Sequence, residues 1–241
     1  MKVGKVEEKV YKRSIGIYLP ASEKQVVVGA GTGVDAAVLG KEFFENEMPM
    51  VASATFIGKP DIVAKWAIAD AVNNIAASHG RAKAVSIMLT LPEKLREINL
   101  KKIMSHAGEE CEKKHIAIIG GHTEISDKIE SPIFSVTAFG NGVLGDAKVK
   151  AGQDIVMTGY AGAAGSAIIA HDHTEKLQER FPKRFIESAV SLDEYRYVDA
   201  AVAVAEKSDA YPMHDAGEGG IFGALWEFAQ RYGIGLEIET R

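Results

Sequence analysis

A single cysteine, no long apolar run and no surplus of basic charge set the first limits on this chain of 241 residues. Cys111 has no second thiol in the chain, which excludes an internal disulfide and fits a reducing compartment. No stretch of about 18 uncharged apolar residues occurs, so no segment reads as a membrane span. The opening "MKVGKVEEKVYKRS" has no apolar h-region, which argues against export, and a cytoplasmic protein with no membrane partner is expected. Acidic residues number 33 and basic ones 28, intermixed, for a formal charge of −5. With no basic stripe, no nucleic-acid partner is expected.

What is present is ordinary globular material, 46% hydrophobic and 25% charged, enough for one large domain or two modest ones. Periodicity places strands near 25–29 and 50–57, a helix from about 60 to 78, and a strand in "RAKAVSIMLTLP" closed by Pro92. In "LKKIMSHAGEECEKKH", Leu100, Ile103, Met104, Ala107 and Cys111 form one apolar helical stripe, so the thiol reads as a packed one. "HIAIIGGHTEIS" reads as a short buried strand running into a polar loop. "SPIFSVTAFGNGV" reads as a strand, with Gly140-Asn141-Gly142 as turn chemistry. A boundary near residue 146 divides the chain into domains 1–146 and 147–241. Beyond it, "DIVMTGYAGAAGSAIIAH" predicts strand, glycine loop and helix, and a further helix is predicted over 195–207. "GIGLEIETR" begins a strand on which the chain stops, so the second α/β domain reads as truncated.

Two glycine loops invite a nucleotide. "VVVGAGTGVDAAVLG" places Gly29, Gly31 and Gly33 at alternate positions, one residue short of the dinucleotide spacing G-x-G-x-x-G, and Gly40 breaks the helix that should follow. Gly159, Gly162 and Gly165 have a better helix behind them but no acidic partner, and close packing of that helix explains them. No Walker string G-x-x-x-x-G-K-[ST] exists. A dinucleotide enzyme therefore survives only as a minor alternative.

Four polar strings stand at the ends of apolar elements: "GVDAAV", "AVNNIAAS", "IIGGHTEIS" and "MHDAGEGG". Singly they read as a loop aspartate, a polar pair in a helix, a capping threonine or glutamate, and an aspartate helix cap. In this order, from about Val26 to Gly235, they resemble the AIR synthase-related superfamily, and within it the HypE-like branch. The resemblance implies a two-domain α/β (α+β) fold whose N-terminal sheets pair into a homodimeric barrel. It also implies ATP and Mg²⁺ as cofactors and phosphoryl transfer to an amide or similar oxygen of a small-molecule or protein acceptor. Triphosphate is densely anionic, and carboxylates approach it through hard cations that take oxygen ligands. Carried over, the resemblance makes Gly31, Gly33, Asp35, Asn73, Asn74, Gly120, Gly121, His122, Thr123, Glu124 and Asp215 nucleotide-site residues, with Asp35 and Glu124 as the metal pair. It names no catalytic residue.

The chain also departs from the pattern. Ala54 stands where the family carries an aspartate, Asn74 replaces the aspartate of an Asn-Asp pair, and Ala164 stands where related proteins often carry glutamate. Asparagine offers a carbonyl oxygen without charge, and alanine offers nothing. These departures motivate an alternative, a catalytically degenerate paralogue that binds a nucleotide or small molecule. HypE proteins act on a C-terminal cysteine, and the ending "LEIETR" has none, so the hydrogenase-maturation reaction itself is not expected. His171 and His173, at i and i+2, read as a polar helix end, His79 has no role, and His122 is placed to orient a ligand.

Overall fold

The computed structural model describes residues 4–5, 7–19, 26–29, 38–40, 43, 47–142, 148–191 and 212–239. They fall into two compact units, Met1–Ile75 with Gly80–Val143, and Ala76–His79 with Leu144–Arg241.

The first unit is a mixed sheet covered on one face by helices. Its strands are β1 (Gly4–Lys5), β4 (Met48–Ile57), β5 (Gly80–Pro92), β6 (Ala117–Ser126) and β7 (Ile133–Gly142), in the order β1-β6-β5-β7-β4. A separate antiparallel pair, β2 (Val26–Val28) and β3 (Val38–Leu39), brackets the first glycine segment. Alternation decides which side chains enter the core. In β7, Phe134, Val136 and Ala138 are buried, while Ser135 and Thr137 face the other way.

The covering helices are α2 (Val63–Ala77) and α3 (Glu97–Lys113). α2 presents Val63, Ala67, Ile68, Ala71 and Ile75, and α3 presents Leu100, Ile103, Met104, Ala107 and Cys111 to one continuous core with the sheet. Each large aliphatic side chain buried there contributes about 1.5–3 kcal/mol. A short α1 (Glu8–Ser14) is tied to the first turn of α3: Arg13 donates to both carboxylate oxygens of Glu97, at 2.6 and 2.5 Å, and the Ser14 hydroxyl donates at 2.8 Å.

Two bulges set the faces. On β6, Val85 of β5 pairs with Ile118 and Ser86 with Gly120, leaving Ile119 as an extra residue. On β5, Ala82 pairs with Gly140 and Ala84 with Phe139, leaving Lys83 as the extra residue. A bulge shifts the inside-outside alternation by one position. Ile118 therefore packs in the main core, yet seven residues later Ile125 does too.

Several expectations change. "GGHTE" is not a loop, because β6 runs unbroken through it to Ser126. Gly140-Asn141-Gly142 is no turn, because these residues close β7 and pair with Met50, Pro49 and Met48 of β4. In the second unit, α4 (Ala163–Asp172), α5 (Thr174–Gln178) and α6 (Lys183–Val190) bury Ala163, Ala167, Ala170 and Ile186. A longer α7 (Gly220–Tyr232) follows the second polar loop. Neither "DIVMTG" nor "GIGLEIE" forms a strand, and the described residues of this unit contain none. With no ladder partner these segments leave apolar side chains in solvent, Val156 at 83% exposure. The helix expected over 195–207 lies outside the described residues.

Candidate functional site

The β6 bulge aims the site. Past Ile119, residues Gly120, His122 and Glu124 pair with Ser86, Met88 and Thr90 and lie on the face opposite the helices. Plain alternation from Ile118 would have turned His122 and Glu124 into the core, where an unpaired carboxylate is prohibitively costly. Two apart on one strand, they stand side by side, His122 Nε2 3.5 Å from Glu124 Oε2, with side chains 43% and 50% exposed. The pair offers one hard carboxylate and one imidazole to whatever approaches that face.

The intervening residues have other work. Gly121 pairs with Ile87 at φ +147°, and a methyl group there would run into the Ile87 carbonyl oxygen. Its glycine is therefore fixed by the backbone. Gly120 has open space around it and keeps its approach free for a ligand. Thr123 pairs with Leu89 on the helix-covered side.

The same face continues across the sheet as a mixed hydroxyl and apolar surface. Ser53 and Thr137 hydroxyls lie 2.9 Å apart, and those of Thr55 and Ser135 2.8 Å apart, so these polar groups satisfy one another. Val51, Ile57 and Met88 are exposed beside them.

Asn73 and Asn74 are elsewhere. Both lie near the end of α2, on the helix-covered side, Asn73 buried and Asn74 donating its amide N–H to the Asp70 carbonyl at 2.9 Å. Ile75, on the same turn, reaches Gly80 at the start of β5, 3.0 Å from where a Cβ there would stand. Glu124 stands opposite Thr90, ten positions along β5 from Gly80, roughly 33 Å at about 3.3 Å per residue. Within one protomer, the asparagine pair and the His122–Glu124 pair are not one cluster. Ala54, the other departure, packs against the main core beneath the helices, opposite Val136. Gly31, Gly33 and Asp35 lie outside the described residues.

Asp215 sits in the second unit, on the loop before α7. Burial pushes its carboxyl above the ordinary range, opposed by its own backbone and by neighbouring His214. His214 itself bonds Glu227 of α7, Nε2 to Oε2 at 2.7 Å. Sequence reading passed over that pair, because thirteen residues and a helix start separate its members and only the fold makes them neighbours. Among the described residues, no group of three or more His, Cys, Asp or Glu side chains could hold a metal ion, His171 and His173 included. Cys111 is fully buried, and desolvation raises its thiol to about 12, so it is inert.

The first unit is thus a helix-backed mixed sheet with a polar pair on its open face. Residues 33–141 match the family described as AIR synthase related protein, N-terminal domain. Over that segment the chain is similar to the AIR synthase-related superfamily, near its HypE-like members. It is 27% identical over 181 residues to a putative hydrogenase expression/formation protein of Methanocaldococcus jannaschii, covering 73% of this chain and 51% of that one. The chain thus spans about half the length of the curated relative it matches. Among solved structures, a thiamine-monophosphate kinase from Stenotrophomonas maltophilia K279a superposes with a TM-score of 0.70 at 20% identity, covering 95% of this chain and 73% of that one. The HypE hydrogenase maturation protein of E. coli superposes with a TM-score of 0.59 at 18% identity, over 92% and 67%. These likenesses establish the fold.

Proposed function

We propose that the chain is an ATP-dependent enzyme of the AIR synthase and HypE type, transferring a phosphoryl group to an amide or similar oxygen of a small-molecule or protein acceptor. The observation that carries this reading is the β6 bulge, which spends a sheet irregularity on placing Glu124 and His122 together in solvent. Bulges are enriched beside active sites because they re-aim side chains in this way.

Glu124 has the donor chemistry for Mg²⁺, a hard cation that keeps several waters and needs only one or two carboxylates besides phosphate oxygens. In this reading Glu124 and Asp35 hold the ion, which neutralises triphosphate charge. His122 orients the phosphate-bearing ligand, and Gly120 leaves room for its approach. The homodimer belongs to the same proposal, with the open sheet face as its interface.

Titration calorimetry with ATP, ADP and NAD, with and without Mg²⁺, tests the reading together with an assay of ADP release. ATP binding that strengthens with Mg²⁺ and weakens about tenfold or more in Glu124→Gln is the expected result. A second reading, a binding paralogue without turnover, draws on Ala54 in the core and on Asn74, whose amide is bonded to its own helix. ATP binding with no ADP release would favour it. Tight NAD binding would overturn both.

A further inference from the structure

The loop that carries Asp215 has little to hold it still. It runs Ala216-Gly217-Glu218-Gly219-Gly220, and Gly219 and Gly220 both sit at positive φ, +85° and +61°. Its backbone ties are local: the Gly220 N–H donates to Gly217 at 3.1 Å, and the Gly223 N–H to Gly219 at 3.2 Å. Glycine-rich chain pays the largest conformational entropy on ordering, so a carboxylate on such a loop is poorly positioned unless something anchors it. An anchor lies one residue away. His214, its side chain 23% exposed, reaches Glu227 on the second turn of α7 at 2.7 Å, a charge-assisted length.

We propose that Glu227 is a positioning residue: through its hydrogen bond to His214 it fastens the glycine loop to α7 and fixes where Asp215 presents its carboxylate. This rests on the proposed nucleotide-binding function, extended to Asp215 as the resemblance implies for that residue. The helix is the rigid partner and the loop the one that would otherwise wander. Asp215 is partly buried and electrostatically sensitive to both members of the pair, so its presentation depends on where they stand. The bond lies at the surface, with the Glu227 side chain 53% exposed, so its effect on ligand affinity is modest.

A double-mutant cycle on the whole chain tests this, with ATP affinity measured by calorimetry and folding by thermal melts. Glu227→Ala and His214→Ala should each weaken ATP binding threefold to tenfold. His214→Gln, whose amide still donates to Glu227, should restore most of that loss, which a generic structural role for the imidazole would not predict. In an Asp215→Asn background the Glu227→Ala effect should vanish, because there is no longer a carboxylate to position. If Asp215→Asn weakens ATP binding but Glu227→Ala does not, the positioning role is overturned. An Asp215→Asn variant that binds ATP like the parent overturns the nucleotide role of Asp215, and the positioning role with it. An undiminished Glu227→Ala effect in the Asp215→Asn background overturns the inference alone.

Discussion

At the residue scale, the adjacent glycines of "GGHTE" separate a folding role from a binding role. Gly121 is held at φ +147° against the Ile87 carbonyl, so Gly121→Ala must move β5 or β6 and should cost about 1–3 kcal/mol. Gly120→Ala meets nothing and should change stability by less than about 0.5 kcal/mol. Urea unfolding of both variants checks the contrast, and ATP titration of Gly120→Ala shows whether a ligand uses the free approach. The two residues are indistinguishable in sequence. The buried state of Cys111 was legible, because its helical stripe was regular, and it carries a direct consequence. A thiol reagent at pH 8 should leave the native protein unlabelled and modify it fully in denaturant, because the thiol is raised to about 12 and fully buried.

At the element scale, strands and helices with unbroken periodicity were readable, and those whose faces depend on a bulge were not. The helix read at 60–78 is α2, Val63–Ala77, and the strand read at 50–57 is β4, Met48–Ile57. In "IAIIGGHTEI" the extra residue Ile119 exists only relative to β5, a pairing that the sequence does not display. "GNG" misled for a similar reason: position 140 is a glycine inside a strand because the neighbouring backbone at Arg81 comes too close for a side chain. Isolated hydrophobic runs such as "DIVMTG" matched a strand pattern but found no ladder. The link between α1 and α3 was equally invisible, since Arg13 and Glu97 lie far apart in the chain. Arg13 holds the Glu97 carboxyl at about 2, well below its ordinary 4.5, with Ser14 assisting. The folded-state value is depressed, so the stabilisation is present above pH 4.5 and lost as pH falls through about 2. Glu97→Gln should lower stability at pH 7 by on the order of 1 kcal/mol, and the gap to the parent should close progressively between pH 4.5 and 2 in denaturant titrations.

At the scale of the whole molecule, the open sheet face is the feature that most needs a partner. Antiparallel sheets tolerate one solvated face when it is polar. Here the hydroxyls of Ser53, Thr55, Ser135 and Thr137 pair among themselves, and Val51, Ile57 and Met88 stand 63%, 61% and 57% exposed. A face whose polar groups are already satisfied loses little on desolvation, while its apolar neighbours gain about 25 cal/mol per Å² covered. The face is self-complementary in chemistry, and in the proposed homodimer a second copy of the same sheet would cover it, by the two-fold pairing common among homodimers. Val51→Lys combined with Met88→Lys places charges across that face without touching the helix-side core. The expected outcome, read by light scattering across a concentration series, is a dimer for the parent and a folded monomer for the double variant. A parent that stays monomeric at all concentrations would remove the dimer from the proposal. A double variant that stays dimeric would move the interface off this face, and with it the reason for expecting His122 and Glu124 near a subunit boundary.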